Sequence, residues 1–112
     1  MKRGDIYWAN LDPVIGSEIS KTRPVLIISN DINNTFSNTI TILPITTSTR
    51  KIYPFEVLIK KNDSGLSSDS KIKANQIRTI DKQRLYKKIS KLTSKKIIEV
   101  EEAIIIHLGI NL

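Results

Sequence analysis

The apolar residues of this 112-residue chain change their period once, near Thr93, and that change divides the fold into two kinds of structure. Before it they come as short β-branched runs or period-two alternations, the pattern of strands. Ile6–Ala9 reads as a short strand. Pro24–Asn30 is a continuous apolar run, which predicts a strand buried on both faces. Thr39–Thr47 is the next, and its Pro44 cannot donate to a ladder, so the strand is expected at an edge or bulged there. Phe55–Ile59 alternates. Lys71–Thr79 also alternates, with Ile72, Ala74 and Gln76 on one side and Lys71, Lys73 and Asn75 on the other. Asp81–Leu85 reads as a helical turn and Lys87–Leu92 as a further extended piece. After Thr93, a candidate N-cap, Ile97, Val100, Ile104 and Leu108 follow at helical spacing, and Gly109 ends the run. Ile98, Ile105 and Ile106 fall outside that stripe, so the helix needs apolar contact on more than one side, from its own domain or from a second subunit. The expectation is one domain over residues 1–112, mainly β with a C-terminal α-helix. Five to seven short strands in a chain of this size predict a small, strongly curved barrel.

Composition removes whole classes of chemistry. There is no cysteine, so disulfide scaffolds, thiol nucleophiles and thiolate-bound metals are excluded. The single histidine, His107, leaves no histidine relay and reads as a packing residue of the tail helix. The carboxylates are scattered without metal-site spacing, and the four glycines form no phosphate loop. No apolar run reaches the roughly 20 residues of a spanning helix. The N-terminal segment lacks the apolar core of an export signal, which makes the cytoplasm the expected location. The formal charge of +7 points to an anionic partner.

Chemistry therefore has to come from arginine and hydroxyl groups. The polar loop Gly16–Arg23 runs directly into the apolar Pro24 strand. Pro24 biases Arg23 to extended geometry, which holds a guanidinium at a strand entrance. Ile45 is followed by four hydroxyl residues, Thr46, Thr47, Ser48 and Thr49. Such a run caps a turn or contacts phosphate oxygens.

These segments carry a resemblance. Lys2-Arg3-Gly4-Asp5-Ile6-Tyr7-Trp8, Gly16-Ser17-Glu18, the run from Arg23-Pro24-Val25 to Asp31, Ile45-Thr46, the run from Gln76-Ile77-Arg78 to Asp81, and Arg84-Leu85 occur in one order across nearly the whole chain. Together they resemble the MazF/PemK family of toxin endoribonucleases. The resemblance implies an SH3-like β-barrel with a terminal helix, assembled as a homodimer. It implies metal-independent cleavage of single-stranded RNA at short sequences, with no cofactor, and a cognate antitoxin whose segment occupies the RNA groove. By the same resemblance Arg23 and Thr46 are the catalytic pair. RNA contacts fall on Ser17, Glu18 and Lys21 of the first loop, on Thr47 and Ser48, and on Gln76.

The residue inventory suits that chemistry. RNA brings its own nucleophile, the 2′-hydroxyl, so the protein has to orient it and stabilise charge on the phosphorane. A guanidinium offers a planar fork of donors matched to phosphate oxygens, and Thr46 adds a neutral one. Arginine stays protonated, so the 2′ proton goes to Glu18 or to a water. The expected products carry a 2′,3′-cyclic phosphate and a 5′-hydroxyl. The charge also implies an acidic antitoxin. Two local features depart from the family pattern. Ile19-Ser20-Lys21-Thr22 replaces small residues between the GSE and RP motifs, which makes the loop stiffer and more basic. Lys71 and Lys73 are expected to protect a sheet edge, or else to bind phosphate. The basic run from Arg78 to Lys96 reads as a solvated surface. Three alternatives use the same inventory: a gyrase poison of the same fold, a non-catalytic RNA-binding barrel, and a ribosome- or protein-binding adaptor. The six aromatic side chains are few for a stacking platform.

Overall fold

The computed structural model describes residues 1–112. Seven strands and one long helix follow in chain order: β1 (Asp5–Asn10), β2 (Thr22–Ile27), β3 (Thr39–Thr46), β4 (Glu56–Ile59), β5 (Ser70–Lys73), β6 (Arg78–Asp81), β7 (Leu85–Lys91) and α3 (Ser94–Leu108). Two short helices, α1 (Asp31–Phe36) and α2 (Lys61–Ser64), interrupt the series. The sheet is antiparallel in the order β4-β5-β3-β2-β1-β7, with β6 paired to the first half of β3. Its end strands, β4 and β7, do not pair with each other. The molecule nonetheless measures 33 × 32 × 31 Å, so the sheet is curled rather than flat.

The continuous apolar run of β2 is explained by a core on each side. Leu26 and Ile28 join Ile6, Leu43, Ile45 and Ile72, and this cluster is closed by Val100 and Ala103 of α3. Val25 and Ile27 join Ala9, Leu11, Ile40, Ile42 and Ile80 in a second cluster. Alternate side chains of one strand thus serve two cores.

Three expectations need correction. Pro44 is neither on an edge nor at a bulge: β3 is flanked on both sides, and its pairing with β2 runs in register from Ile42 to Pro44. Pro44 falls between Ile42, the last residue paired with β6, and Ile45, the first paired with β5. The missing donor therefore sits where the strand changes partners. The stretch from Lys71 to Thr79 is not one strand, because a 3-10 turn over Ala74–Gln76 breaks it into β5 and β6. The Pro24 strand stops at Ile27 rather than Asn30, because the Asn30 side chain accepts from Asn33 N and caps α1.

The tail forms the helix its period predicts, except that Leu108, expected on the buried stripe, is exposed because the helix end runs past the core. Thr93 is the N-cap of α3, and Gly109 closes it in the left-handed conformation at φ 66°. Val100 and Ala103 are buried, with Ile97 and Ile104 packed beside them. Ile98, Ile106 and Leu108 remain more than half exposed. His107 packs edge-on against Phe55 with ring centres 6.1 Å apart, which is a packing role.

Candidate active site

The register of the sheet fixes what stands opposite what. Between β2 and β3, Ile27 faces Ile42, Leu26 faces Leu43 and Val25 faces Pro44. Continued two residues further, that register sets Arg23 opposite Thr46. Both residues share the strand parity of Val25 and Ile42, so both belong to the face of the second core. Arg23 is a member of β2, paired with Ala9 of β1, rather than the residue before the strand. It is half-buried, and its Nε donates to Ser20 O at 2.8 Å. That bond engages the inner nitrogen, and the two outer nitrogens of the guanidinium make no hydrogen bond within the chain. Thr46 is the half-buried last residue of β3, and its Oγ1 accepts from Ser48 N at 3.3 Å. Thr47 and Ser48 follow directly and are exposed.

The first loop is pinned at several points. Glu18 Oε1 accepts from Ile15 N at 2.9 Å, so one carboxylate oxygen is committed to its own turn. Lys21 adopts φ 71°, unusual for a residue with a side chain, and its N–H donates to Asp12 Oδ1 at 3.0 Å. Gln76 Oε1 accepts from Ile19 N at 3.4 Å. The structure therefore joins Gln76, on its 3-10 turn, to the loop carrying Ser17, Glu18 and Lys21, with Arg23 tied to the same loop through Ser20. Ser17 and Glu18 are exposed on that loop.

Lys71 and Lys73 do something other than either expected role. β5 is an interior strand between β4 and β3, so it has no edge to protect. Lys71 is buried, and its Nζ donates to Glu56 Oε1 at 3.0 Å and to Lys51 O at 2.9 Å. Lys73 Nζ donates to Glu56 Oε2 at 2.9 Å. Glu56 also accepts from Tyr53 N at 2.9 Å. Burial, the largest influence, pushes the Glu56 carboxyl up; the Tyr53 N–H and the two lysines together outweigh it and hold the group below its usual range. This triad fastens the loop after Thr46 and Thr47 to the sheet.

Part of the basic run is likewise structural rather than solvated. Arg78 Nη1 donates to Leu11 O at 2.9 Å. Arg84 Nη1 donates to Asn10 O at 3.1 Å and to Asp12 O. Lys82 donates to Asn34 O. Asp12, Arg78 and Arg84 thus hold the base of the first loop, a role charge alone could not reveal. Arg3 of the N-terminal motif is structural too, with Nη2 on Glu101 of α3 at 2.9 Å. Nowhere do three or more His, Asp or Glu side chains converge on a common point.

Residues 2–108 match the model of the PemK-like, MazF-like toxin of type II toxin–antitoxin system family. The chain belongs to the PemK/MazF toxin family. It is 47% identical over 111 residues to endoribonuclease EndoA of Bacillus subtilis, spanning 98% of this chain and 96% of that one. It is 46% identical over 112 residues to endoribonuclease MazF of Staphylococcus epidermidis, spanning 99% and 93%. Among solved structures, MazF of Deinococcus radiodurans superposes with a TM-score of 0.85 at 24% identity, covering 98% of this toxin and 97% of that chain. A MazE–MazF complex from the same organism gives 0.79 at 25% identity, covering 99% and 97%. The toxin's fold is therefore that of MazF, and the two curated relatives are both named endoribonucleases.

Proposed function

We propose that this endoribonuclease toxin cleaves single-stranded RNA by attack of the ribose 2′-hydroxyl on the adjacent phosphate, without a metal, with Arg23 and Thr46 as the catalytic pair. The observation that supports the reading is the β2–β3 register, which runs in step as far as Val25 opposite Pro44 and, continued by two residues, sets a half-buried guanidinium opposite a hydroxyl. Arg23, anchored through Nε, presents its remaining donors to the phosphorane oxygens, and Thr46 adds one neutral donor. Such donors are pre-set, so they stabilise the charge of the transition state without reorganising. Ser17, Glu18, Lys21 and Gln76 form one side of the RNA path, and Thr47 and Ser48 the other. Their polar edges meet bases only when those are unstacked and unpaired, which selects single strands. The products carry a 2′,3′-cyclic phosphate and a 5′-hydroxyl.

The toxin works in the cytoplasm as a homodimer of SH3-like barrel units. The exposed Ile98, Ile106 and Leu108 of α3 support the dimer, as does the curled shape of the sheet the barrel. Its activity is held in check by an acidic antitoxin. A net charge of +7 favours a partner that presents carboxylates where RNA would present phosphates.

The test is incubation of the purified toxin with a long single-stranded RNA in EDTA, followed by mapping of the ends. Discrete cuts with cyclic-phosphate ends are expected. A 2′-deoxy substitution at a mapped cut should stop cleavage there; continued cutting, or dependence on a divalent ion, overturns the mechanism. Intact RNA together with inhibition of gyrase would favour the gyrase-poison reading of this fold.

A further inference from the structure

On the opposite face of the sheet from Arg23 and Thr46 lies a cavity of about 310 Å³, at the small end of the roughly 300–1,000 Å³ typical of ligand sites. Trp8, Pro24 and Ile89 form apolar walls, and Thr47, Ser67 and Ser68 line its rim. We propose that this cavity is a nucleobase subsite, in which a base beside the scissile phosphate stacks on Trp8. The proposal rests on the RNA-cleaving reading above and extends it to a cavity that shares only Thr47 with the RNA path given there.

Position is the first argument. Pro24 directly follows Arg23, and Thr47 directly follows Thr46. Adjacent Cα atoms are about 3.8 Å apart, but their side chains leave the sheet on opposite faces. A strand whose phosphate lies on the Arg23–Thr46 side can therefore swing a neighbouring base over the rim into the cavity. Trp8 is the cross-strand partner of Pro24 on one side and of Lys87 on the other. Lys87 is exposed and stands opposite Trp8 in that register.

The lining fits a base better than a protein side chain. Trp8 is half-buried and offers a flat face, while the rim presents the exposed hydroxyls of Thr47, Ser67 and Ser68. A base has an apolar face for the walls and donors and acceptors along its edge for those hydroxyls. An aliphatic anchor would fill the walls and strip water from the hydroxyls with nothing in return. The rim is also built in advance. Gly65 ends α2 in the left-handed conformation at φ 68°, and a Cβ there would come within 2.9 Å of Ser90 Cβ. Ser90 Oγ donates to Ser64 O, Leu66 N donates to Ser64 Oγ at 3.1 Å, and Ser70 Oγ donates to Ser68 O at 3.0 Å. The loop bearing the two serines is thus fixed to β7 and β5 before any ligand arrives.

Trp8 is the only tryptophan, so its fluorescence reads the cavity directly. The probe is a single-stranded RNA spanning one mapped cut, made uncleavable by 2′-deoxyribose at that position and labelled for anisotropy. A series of the same probe carries one abasic site at each successive position. Binding should quench Trp8. One abasic position, next to the cut or one removed from it, should abolish the quench and weaken binding by roughly 5- to 150-fold, the range found for a stacked base. Trp8→Leu should reproduce that loss on the intact probe and be insensitive to the same abasic site, whereas Trp8→Phe should retain much of the affinity. The abasic series uses the unaltered toxin, so it decides the matter even where a Trp8 variant folds poorly. Anisotropy binding with no quench and no sensitive position overturns the subsite while leaving the cleavage reading in place. Absence of any RNA binding overturns both. A quench produced by an acidic antitoxin peptide but not by RNA would assign the cavity to the protein partner and refute the proposal.

Discussion

Glu56→Gln should destabilise the toxin by about 3–5 kcal/mol at neutral pH, the usual cost of breaking a buried charge pair by removing one member. The geometry puts the value in that range. The Glu56 side chain is fully buried, and the Lys71 side chain is only 9% exposed. One carboxylate satisfies Lys71, Lys73 and the Tyr53 N–H. An amide keeps the volume, yet its NH2 has to face a lysine donor, and it removes the charge that compensates Lys71. Lys73, 21% exposed, can turn toward water and so contributes less. Lys71→Met in the Glu56→Gln background should restore part of the loss, because it removes the stranded cation and leaves apolar volume in its place. The assay is urea unfolding followed by Trp8 fluorescence at one fixed protein concentration, extrapolated linearly. A loss under about 1 kcal/mol for Glu56→Gln, the scale of an exposed pair, would refute the account of the triad.

Acid should expose the same group. Folding lowers the Glu56 pKa, so its contribution is complete above the unfolded carboxylate value of about 4.3 and is lost as pH falls through the folded one. The stability gap between the native toxin and Glu56→Gln should therefore be flat above about pH 5.5 and close on acidification. A gap that widens toward acid would mean that the sign is wrong.

Arg23→Ala should abolish cleavage with the far-ultraviolet circular dichroism unchanged, and Arg23→Lys should rescue little, because a point charge cannot reproduce the fork; Thr46→Ala should slow cleavage less than Arg23→Ala, and the reverse ranking in single-turnover rates would exchange their roles. Gln76→Ala removes the acceptor for Ile19 N, so it should raise hydrogen exchange across residues 15–20 as well as weakening cleavage. With Lys71 and Lys73 committed to Glu56, only Lys21 and Arg23 of the four lysines and arginines expected near the path remain for phosphates; about two contacts predict a slope near −1.4 for log K against log salt, and a slope steeper than about −3 would mean that other cations line the path. The proposed homodimer should sediment at twice the chain mass, and Ile106→Asp together with Leu108→Asp should shift it toward monomer; a monomer before substitution would refute the dimer, and an unchanged dimer mass would refute its assignment to α3.

What the sequence reveals and what it hides follow from how far each interaction reaches. The extended backbone at Arg23 and the strand end at Thr46 are legible because local chemistry sets both: Pro24 extends the backbone before it, and the apolar run to Ile45 fixes where β3 must end. The β2–β3 register, observed from Ile27 opposite Ile42 to Val25 opposite Pro44, is imposed by two alternating cores, because a one-residue slip would exchange every side chain between faces. Lys71 and Lys73 are opaque for the converse reason. Their alternation with Ile72 is that of a strand with one wet face, and the residue that dries that face, Glu56, lies 15 and 17 positions away in another strand. Charge read along the chain takes a lysine as solvated unless its partner is local. Here the partner arrives only through the pairing of β4 with β5, where Glu56 stands opposite Lys73. Arg78 and Arg84 are hidden in the same way, since they bond to main-chain oxygens of Leu11 and Asn10, which carry no mark in the sequence. The positive charge of this toxin is accordingly divided. One part is consumed in holding the two loops that flank Arg23 and Thr46, and only the remainder is free to meet an anion. The net charge thus overstates how many cations are free to touch an anionic partner.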